Sequence, residues 1–137
     1  MLRHTMRNKL AVKICGMNSQ TAIDAAIASG VDYLGFVFFP PSPRSLTPEI
    51  ASSLMEKRSD DFKVVAVVVN PSDKLLEEIT YHLAPDIFQL HGSETADDIE
   101  KIKQKFNTKI IKAIKISERE DFEEVSKFDK VADFLLF

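Results

Sequence analysis

Cysteine, glycine and long apolar runs are all scarce in this chain, and each scarcity excludes something. A single cysteine, Cys15, in 137 residues cannot form an intrachain disulfide, which fits a reducing cytoplasm. Four glycines leave little room for a phosphate-cradling loop, and neither GxGxxG nor a Walker-type GxxxxGK occurs. No stretch approaches the roughly 18 apolar residues that a membrane span needs. The opening MLRHTMRNKLAVKIC is basic but has no apolar h-region and no small-residue cleavage site, which argues against a signal peptide. Positive charge is not in excess either. Eighteen Lys+Arg against 21 Asp+Glu give a net charge of −3, whereas a nucleic-acid-binding domain carries a basic surplus. The three histidines, His4, His82 and His91, are scattered, with no metal-ligand spacing. The expectation is one cytoplasmic domain, without metal, nucleic acid or membrane.

What is present is one unit repeated in type. Short apolar, β-branched runs begin near Leu10, Val31, Lys63, Asp86, Thr108 and Val131: LAVKIC, VDYLGFVFF, KVVAVVVN, DIFQLH, TKIIKAIKI and VADFLLF. Continuous apolarity over four to eight residues suits strands buried on both faces of a parallel sheet. Between them lie helical segments with readable ends. Asn18 or Ser19 caps SQTAIDAAIASG and Gly30 stops it; Thr47 caps TPEIASSLMEK, with Pro48 at the first helical position. PSDKLLEEITYHL, SETADDIEKIKQKF and SEREDFEEVSKF have similar caps and acidic first turns. The pattern is β(αβ)5, with residues 1–8 as a loose N-terminal extension and 9–137 as the folded unit.

Strict β/α alternation fits a doubly wound open sheet or a closed (β/α)8 barrel. Length alone favours a five- or six-stranded flavodoxin-like sheet. Polar residues in the strands argue the other way. Lys13 shares a face with Cys15, Gln89 shares a face with His91, and Lys112 interrupts an apolar run. A strand covered by helices on both faces has no cheap place for a lysine, whereas a barrel interior does. The final FLLF is also apolar to its last residue. The expected class is therefore α/β, a (β/α)8 TIM barrel truncated to about six strands and five helices.

In barrels the chemistry gathers at the C-terminal ends of the strands. Those positions are Cys15-Gly16, the loop from Phe39 to Arg44, Asn70, His91-Gly92 and Lys115–Ser117. Cys15 precedes a helix start whose free amides would favour a thiolate, able to act as nucleophile, metal ligand or proton-abstracting base. A buried structural cysteine is the commoner fate of a lone one. Arg44 lies in PPSPRS, where three prolines hold a guanidinium fork ready for a carboxylate or phosphate. His91 would point into the same mouth, although a hydrogen-bonded core histidine is its simpler reading. Together these residues indicate a small-molecule, anionic substrate and acid–base chemistry without a cofactor, and they do not name a reaction.

VKICGM at 12–17, LGFVFFPPSPRSLTP at 34–48 and DIFQLHGSE at 86–94 resemble, in order and spacing, the motifs of the phosphoribosylanthranilate isomerase family of tryptophan biosynthesis. VADFLLF at 131–137 is similar to the start of that family's sixth-strand motif. The resemblance implies a (β/α)8 barrel, of which this chain would be the N-terminal two thirds. It also implies an Amadori rearrangement of N-(5′-phosphoribosyl)anthranilate to 1-(2-carboxyphenylamino)-1-deoxyribulose 5-phosphate. Carried over by motif, Cys15 is the general base, Arg44 holds the anthranilate carboxylate, and Gln89 and His91 line the pocket. The family's general acid is an aspartate directly after the sixth strand, which would be residue 138. Asn18 departs from the Thr, Lys or Arg more common in the family after CG-x.

Residues 1–137 alone are then expected to be inactive, lacking the acid and the phosphate loops after strands seven and eight. The alternative is a non-catalytic half-barrel that pairs with another chain, including self-association through open barrel edges. An intact flavodoxin-like binding domain is the third reading.

Overall fold

Helix signals and strand runs alternate along the chain, and in the computed structural model, which describes residues 10–137, each becomes the expected element. The expected extension over residues 1–8 lies outside the described residues. The strands are β1 Lys13–Cys15, β2 Tyr33–Val37, β3 Lys63–Val68, β4 Ile87–Leu90, β5 Lys109–Ala113 and β6 Phe134–Leu136. Between them run α1 Gln20–Ala28, α2 Pro48–Leu54, α3 Asp73–Leu83, α4 Ala96–Phe106 and α5 Phe122–Phe128, the last entered through a 3-10 turn at Arg119–Asp121.

The helix starts follow from side-chain oxygens placed to accept otherwise orphaned amides. Ser19 accepts from the Ala22 amide, Thr47 from Ile50 and Ser72 from Leu75. Thr95 and Asp98 form a reciprocal capping box at the start of α4. Helix ends use left-handed residues, Ala84 after α3 and Asn107 after α4, while Gly30 at φ +73 turns the chain out of α1.

All six strands are parallel and lie in the order β1-β2-β3-β4-β5-β6. A flavodoxin-like sheet must reverse its strand order at a switch point and carry helices on both faces. This one does neither, so the open-sheet reading is excluded. Leu34, Phe36, Val64, Ala66, Val68, Phe88, Leu90 and Ile110 face outward into one core with Ile23, Ala51, Leu76, Ile79 and Ile99 of the helices. Each large side chain fully buried there contributes about 1.5–3 kcal/mol. The opposite face forms a smaller cluster from strands and strand ends alone, Val37, Val65, Val67 and Ile87 with Cys15, Tyr33, Phe39 and Ile111. One sheet with helices on one side and a strand-only interior is most of a barrel wall.

Pairs of strands are tied at their starts by aspartates in VDYL, PDIF and ADFL. Asp32 accepts the amide of Val12 at 2.8 Å, Asp86 that of Val64 at 2.7 Å, and Asp133 that of Ile110 at 2.9 Å. Arg58 braces Asp86 at 2.6 Å and Lys103 braces Asp133 at 3.1 Å. Asp133 thus has a structural task at the end of the barrel opposite the strand C-termini. Burial pushes its carboxyl up, but the Ile110 amide, the Lys103 hydrogen bond and the charges of Lys103 and Lys109 outweigh that and hold it below the usual aspartate range.

One argument for the barrel needs correction. Lys112 is not in the barrel interior. Its register partners are Leu90 and Leu135, so it stands on the helix-facing side of β5, only 2% exposed. That position is tolerated because its ammonium is paired with the Glu94 carboxylate at 2.8 Å and the Gly92 carbonyl at 2.6 Å. Lys13 and Gln89, by contrast, do sit on the interior face with Cys15.

Candidate active site

Period-two alternation delivers Lys13 and Cys15 from β1, Gln89 from β4 and Leu136 from β6 to the inner face, at the end where the strands run out. There they line a cavity of about 560 Å³ together with Phe39, Ser42, Arg44 and His91. All four residues expected from the sequence, Cys15, Arg44, Gln89 and His91, meet in this one space. A second cavity of about 490 Å³ opens at the strand starts, lined by residues such as Tyr33, Asp86, Lys109 and Phe134. It holds neither a thiol nor an imidazole, and its Asp86 is already committed to Arg58 and the Val64 amide.

Cys15 is half-buried and free of any disulfide. The chain leaves β1 through Gly16, whose amide, like that of Met17, donates to the Gly35 carbonyl, at 2.9 and 3.0 Å. Gly16 has φ +84, and a side chain there would come within 2.6 Å of the Arg44 Cδ and 2.8 Å of its Cζ. Only glycine meets both demands. The gap it leaves lets Arg44 lie across the end of β1 and donate from Nη1 to the Cys15 carbonyl at 3.1 Å. Gly35 plays a smaller version of the same part, because a Cβ there would sit 3.0 Å from the Cys15 Sγ.

The loop carrying Arg44 is folded against itself. Ser42 donates its amide to the Phe39 carbonyl at 2.8 Å, Ser45 to Ser42 at 3.1 Å, and the Ser45 hydroxyl accepts the Phe39 amide at 3.0 Å. Proline restricts the remaining freedom, so the exposed guanidinium is presented from a fixed base. Its remaining N–H groups stay available to an anion.

Gln89 is 2% exposed. Its Nε2 lies 3.5 Å from the His91 Nδ1, and its Oε1 is buried with no hydrogen-bond partner among the described residues. An orphaned amide oxygen beside a cavity costs about 1–3 kcal/mol unless a bound molecule supplies a donor. His91 is exposed at the end of β4, so the core-histidine reading is wrong: the strand ends at Leu90, one residue before the ring could be covered. Sequence reasoning also passed over Lys13 as a site residue, although its two-residue spacing from Cys15 was the available signal. Glu94 carried no signal, because its task depends on β5. Among the described residues no three His, Cys, Asp or Glu side chains are grouped to hold a metal ion, and no helix is long and apolar enough to cross a membrane.

Comparison with known proteins agrees with this geometry. The family model of N-(5′phosphoribosyl)anthranilate (PRA) isomerase matches residues 12–137. The N-(5′-phosphoribosyl)anthranilate isomerase of Paramagnetospirillum magneticum is 40% identical over 126 residues, covering 92% of this chain and 59% of that protein. The Brucella canis protein of the same name is 38% identical over 128 residues, covering 93% and 58%. The chain therefore spans under two thirds of the length of these relatives. Among solved structures, phosphoribosyl anthranilate isomerase from Thermotoga maritima superposes with a TM-score of 0.86 at 29% identity, over 93% of this chain and 61% of that one. A phosphoribosyl anthranilate isomerase in complex with reduced 1-(o-carboxyphenylamino)-1-deoxyribulose 5-phosphate superposes with a TM-score of 0.83 at 29% identity, over 89% and 62%. A six-strand barrel wall, a convergent site at its mouth and a family match over nearly the whole chain lead to one statement: this chain belongs to the N-(5′-phosphoribosyl)anthranilate isomerase family.

Proposed function

We propose that residues 10–137 carry the base side of a cytoplasmic N-(5′-phosphoribosyl)anthranilate isomerase of tryptophan biosynthesis. The observation that carries this is the meeting of Cys15, Arg44, Gln89 and His91, from three separate family motifs, around one cavity. In the proposed reaction the Cys15 thiolate takes the C2′ proton of the ring-opened Schiff base. The electron pair moves to form the C1′–C2′ double bond and neutralises the iminium nitrogen. Ketonisation then returns a proton to C1′ and leaves the carbonyl at C2′. Arg44 holds the anthranilate carboxylate with the N–H groups not used on the Cys15 carbonyl. Gln89 receives, at its unpartnered oxygen, a hydrogen bond from a substrate hydroxyl or N–H, and His91 closes that wall.

The family's general acid would fall at position 138, two residues beyond Leu136, where strand alternation would direct it to the same inner face. Leu136 already lines the cavity, so an aspartate there would be directed at the same space. Residues 1–137 by themselves are proposed to be inactive and to self-associate. β1 and β6 each have one strand neighbour, and Val12, Ile14, Phe134 and Leu136 are 44%, 37%, 44% and 42% exposed, a liability for edge strands.

Complementation tests the reading. The isolated 137-residue chain should show no turnover, whereas mixing it with the segment of a family relative that follows the sixth strand and carries the remaining strands should restore isomerisation. Cys15→Ala should then lower kcat by at least about 10²-fold, the usual contribution of a general base, with little loss of stability. Turnover by residues 1–137 alone would overturn the placing of the general acid beyond Phe137, and full turnover by the alanine variant would overturn the role of Cys15 as base. A non-catalytic half-barrel would associate with the added segment and remain inactive.

A further inference from the structure

Behind His91, on the helix side of the sheet, lies a buried polar cluster to which the proposed chemistry assigns nothing. Glu94 is 6% exposed and Lys112 2% exposed, two of the three polar side chains among the buried residues of the described chain. Burying two charges is expensive even when they pair, and an apolar pair of similar size would often serve stability as well. The compensation is in what the pair grips. The Glu94 carboxylate accepts the Asn70 amide at 2.7 Å through Oε1 and the Gly92 amide at 2.9 Å through Oε2. The Lys112 ammonium, 2.8 Å from Oε2, reaches on to the Gly92 carbonyl at 2.6 Å and lies 5.5 Å from the centre of the Phe128 ring.

One ion pair thereby ties together the loop after β3, the loop after β4 and the body of β5. The two loops are locked to each other as well. The Asn70 side-chain oxygen accepts the Ser93 amide at 2.9 Å and its hydroxyl at 3.1 Å. Asn70 itself is held at φ 44. A Cβ on Gly92 would fall 2.6 Å from the Asn70 Oδ1 and 2.9 Å from its backbone nitrogen. Gly92 is the residue after His91, and the His91 amide is bonded to the Val68 carbonyl at 2.9 Å. The peptide on one side of His91 is held by the sheet, and the glycine on the other side by the ion pair.

We propose that Glu94 and Lys112 are positioning residues, which fix the His91–Gly92 turn and so set where the exposed imidazole stands at the cavity wall. The effect on catalysis rests on the isomerase reading; the effect on the turn does not.

Amide hydrogen exchange and histidine ring NMR on the 137-residue chain test the turn directly. Glu94→Gln keeps the shape but removes the charge, and should speed exchange at Asn70 and Gly92 by about tenfold or more. Amides of Val65 and Val67, bonded within the sheet, should keep their rates. The His91 ring signals should shift, while those of His82, held near Glu49 on the far side of α3, should not. Because a lone buried ammonium can unfold the chain, the double variant Glu94→Gln/Lys112→Met is made in parallel. It carries neither charge and should show the same local loosening in a folded sheet. Uniform loss of protection through all strands, or unchanged exchange at Asn70 and Gly92, overturns the proposal.

The catalytic arm uses the complemented barrel. Glu94→Gln should lower kcat/KM about tenfold, and should cost nothing further once His91→Ala is present, because it acts through that ring. Additive losses overturn the positioning role. If the complemented wild-type barrel shows no isomerase turnover, the isomerase reading fails while the exchange result still decides the role of the pair.

Discussion

Gly16→Ala isolates the contact that joins Cys15 to the loop carrying Arg44. The glycine sits at φ +84, where an L-residue costs roughly 1–2 kcal/mol of backbone strain. The new methyl would also stand 2.6 Å from the Arg44 Cδ, far inside contact distance, so the side chain must leave. With it goes the Arg44–Cys15 carbonyl bond at 3.1 Å, which for an exposed partner is worth about 0.5–1.5 kcal/mol. The expected total is about 2–3 kcal/mol of stability. Urea unfolding of wild type, Gly16→Ala, Arg44→Ala and the double variant measures it. Arg44→Ala alone should cost less than about 1 kcal/mol, as an exposed side chain with one bond. It should also relieve the clash, so that the double variant is more stable than additivity requires by about 0.5–1.5 kcal/mol. The reasoning is refuted if the two effects simply add, or if Gly16→Ala alone lies within about 0.5 kcal/mol of wild type.

Two further outcomes follow from neighbouring geometry. In a complemented barrel, Arg44→Lys should lower kcat/KM by about 1.5–3 kcal/mol, because an ammonium offers no fork to a carboxylate; retention of full kcat/KM would place the carboxylate elsewhere. Asp133, held below the unfolded aspartate value of about 3.9, contributes stability that is present above that value and lost as pH falls through its lower folded pKa. Asp133→Asn should therefore cost about 1–2 kcal/mol at pH 6, and the gap from wild type should close progressively below about pH 4.5 in thermal melts; a gap independent of pH would remove the ionised carboxylate from the argument.

By itself the sequence determined the succession of elements, because strand and helix signals are local. β-branched runs, Ser and Thr caps, Pro48 at a first helical turn and Gly30 beyond a helix end all act within a few residues of where they stand. It determined the inner face of β1 and β4 as well, because alternation alone places Lys13 with Cys15 and Gln89 with His91. The tertiary structure decided whatever depends on which strand lies beside which. Lys112 reads from the sequence as a barrel-interior lysine. Only the β4–β5–β6 register, which aligns it with Leu90 and Leu135, puts it on the helix side, where a carboxylate 18 residues away makes its burial tolerable. His91 reads as a core residue until the end of β4 at Leu90 leaves its ring outside. The need for glycine at 16 and 92 is likewise invisible in one dimension, since the atoms that would clash belong to Arg44 and Asn70 on neighbouring loops. Local hydrogen bonding and side-chain periodicity are written along the chain, whereas the pairing of buried charges and the close approach of loops exist only once the strands have been laid in order.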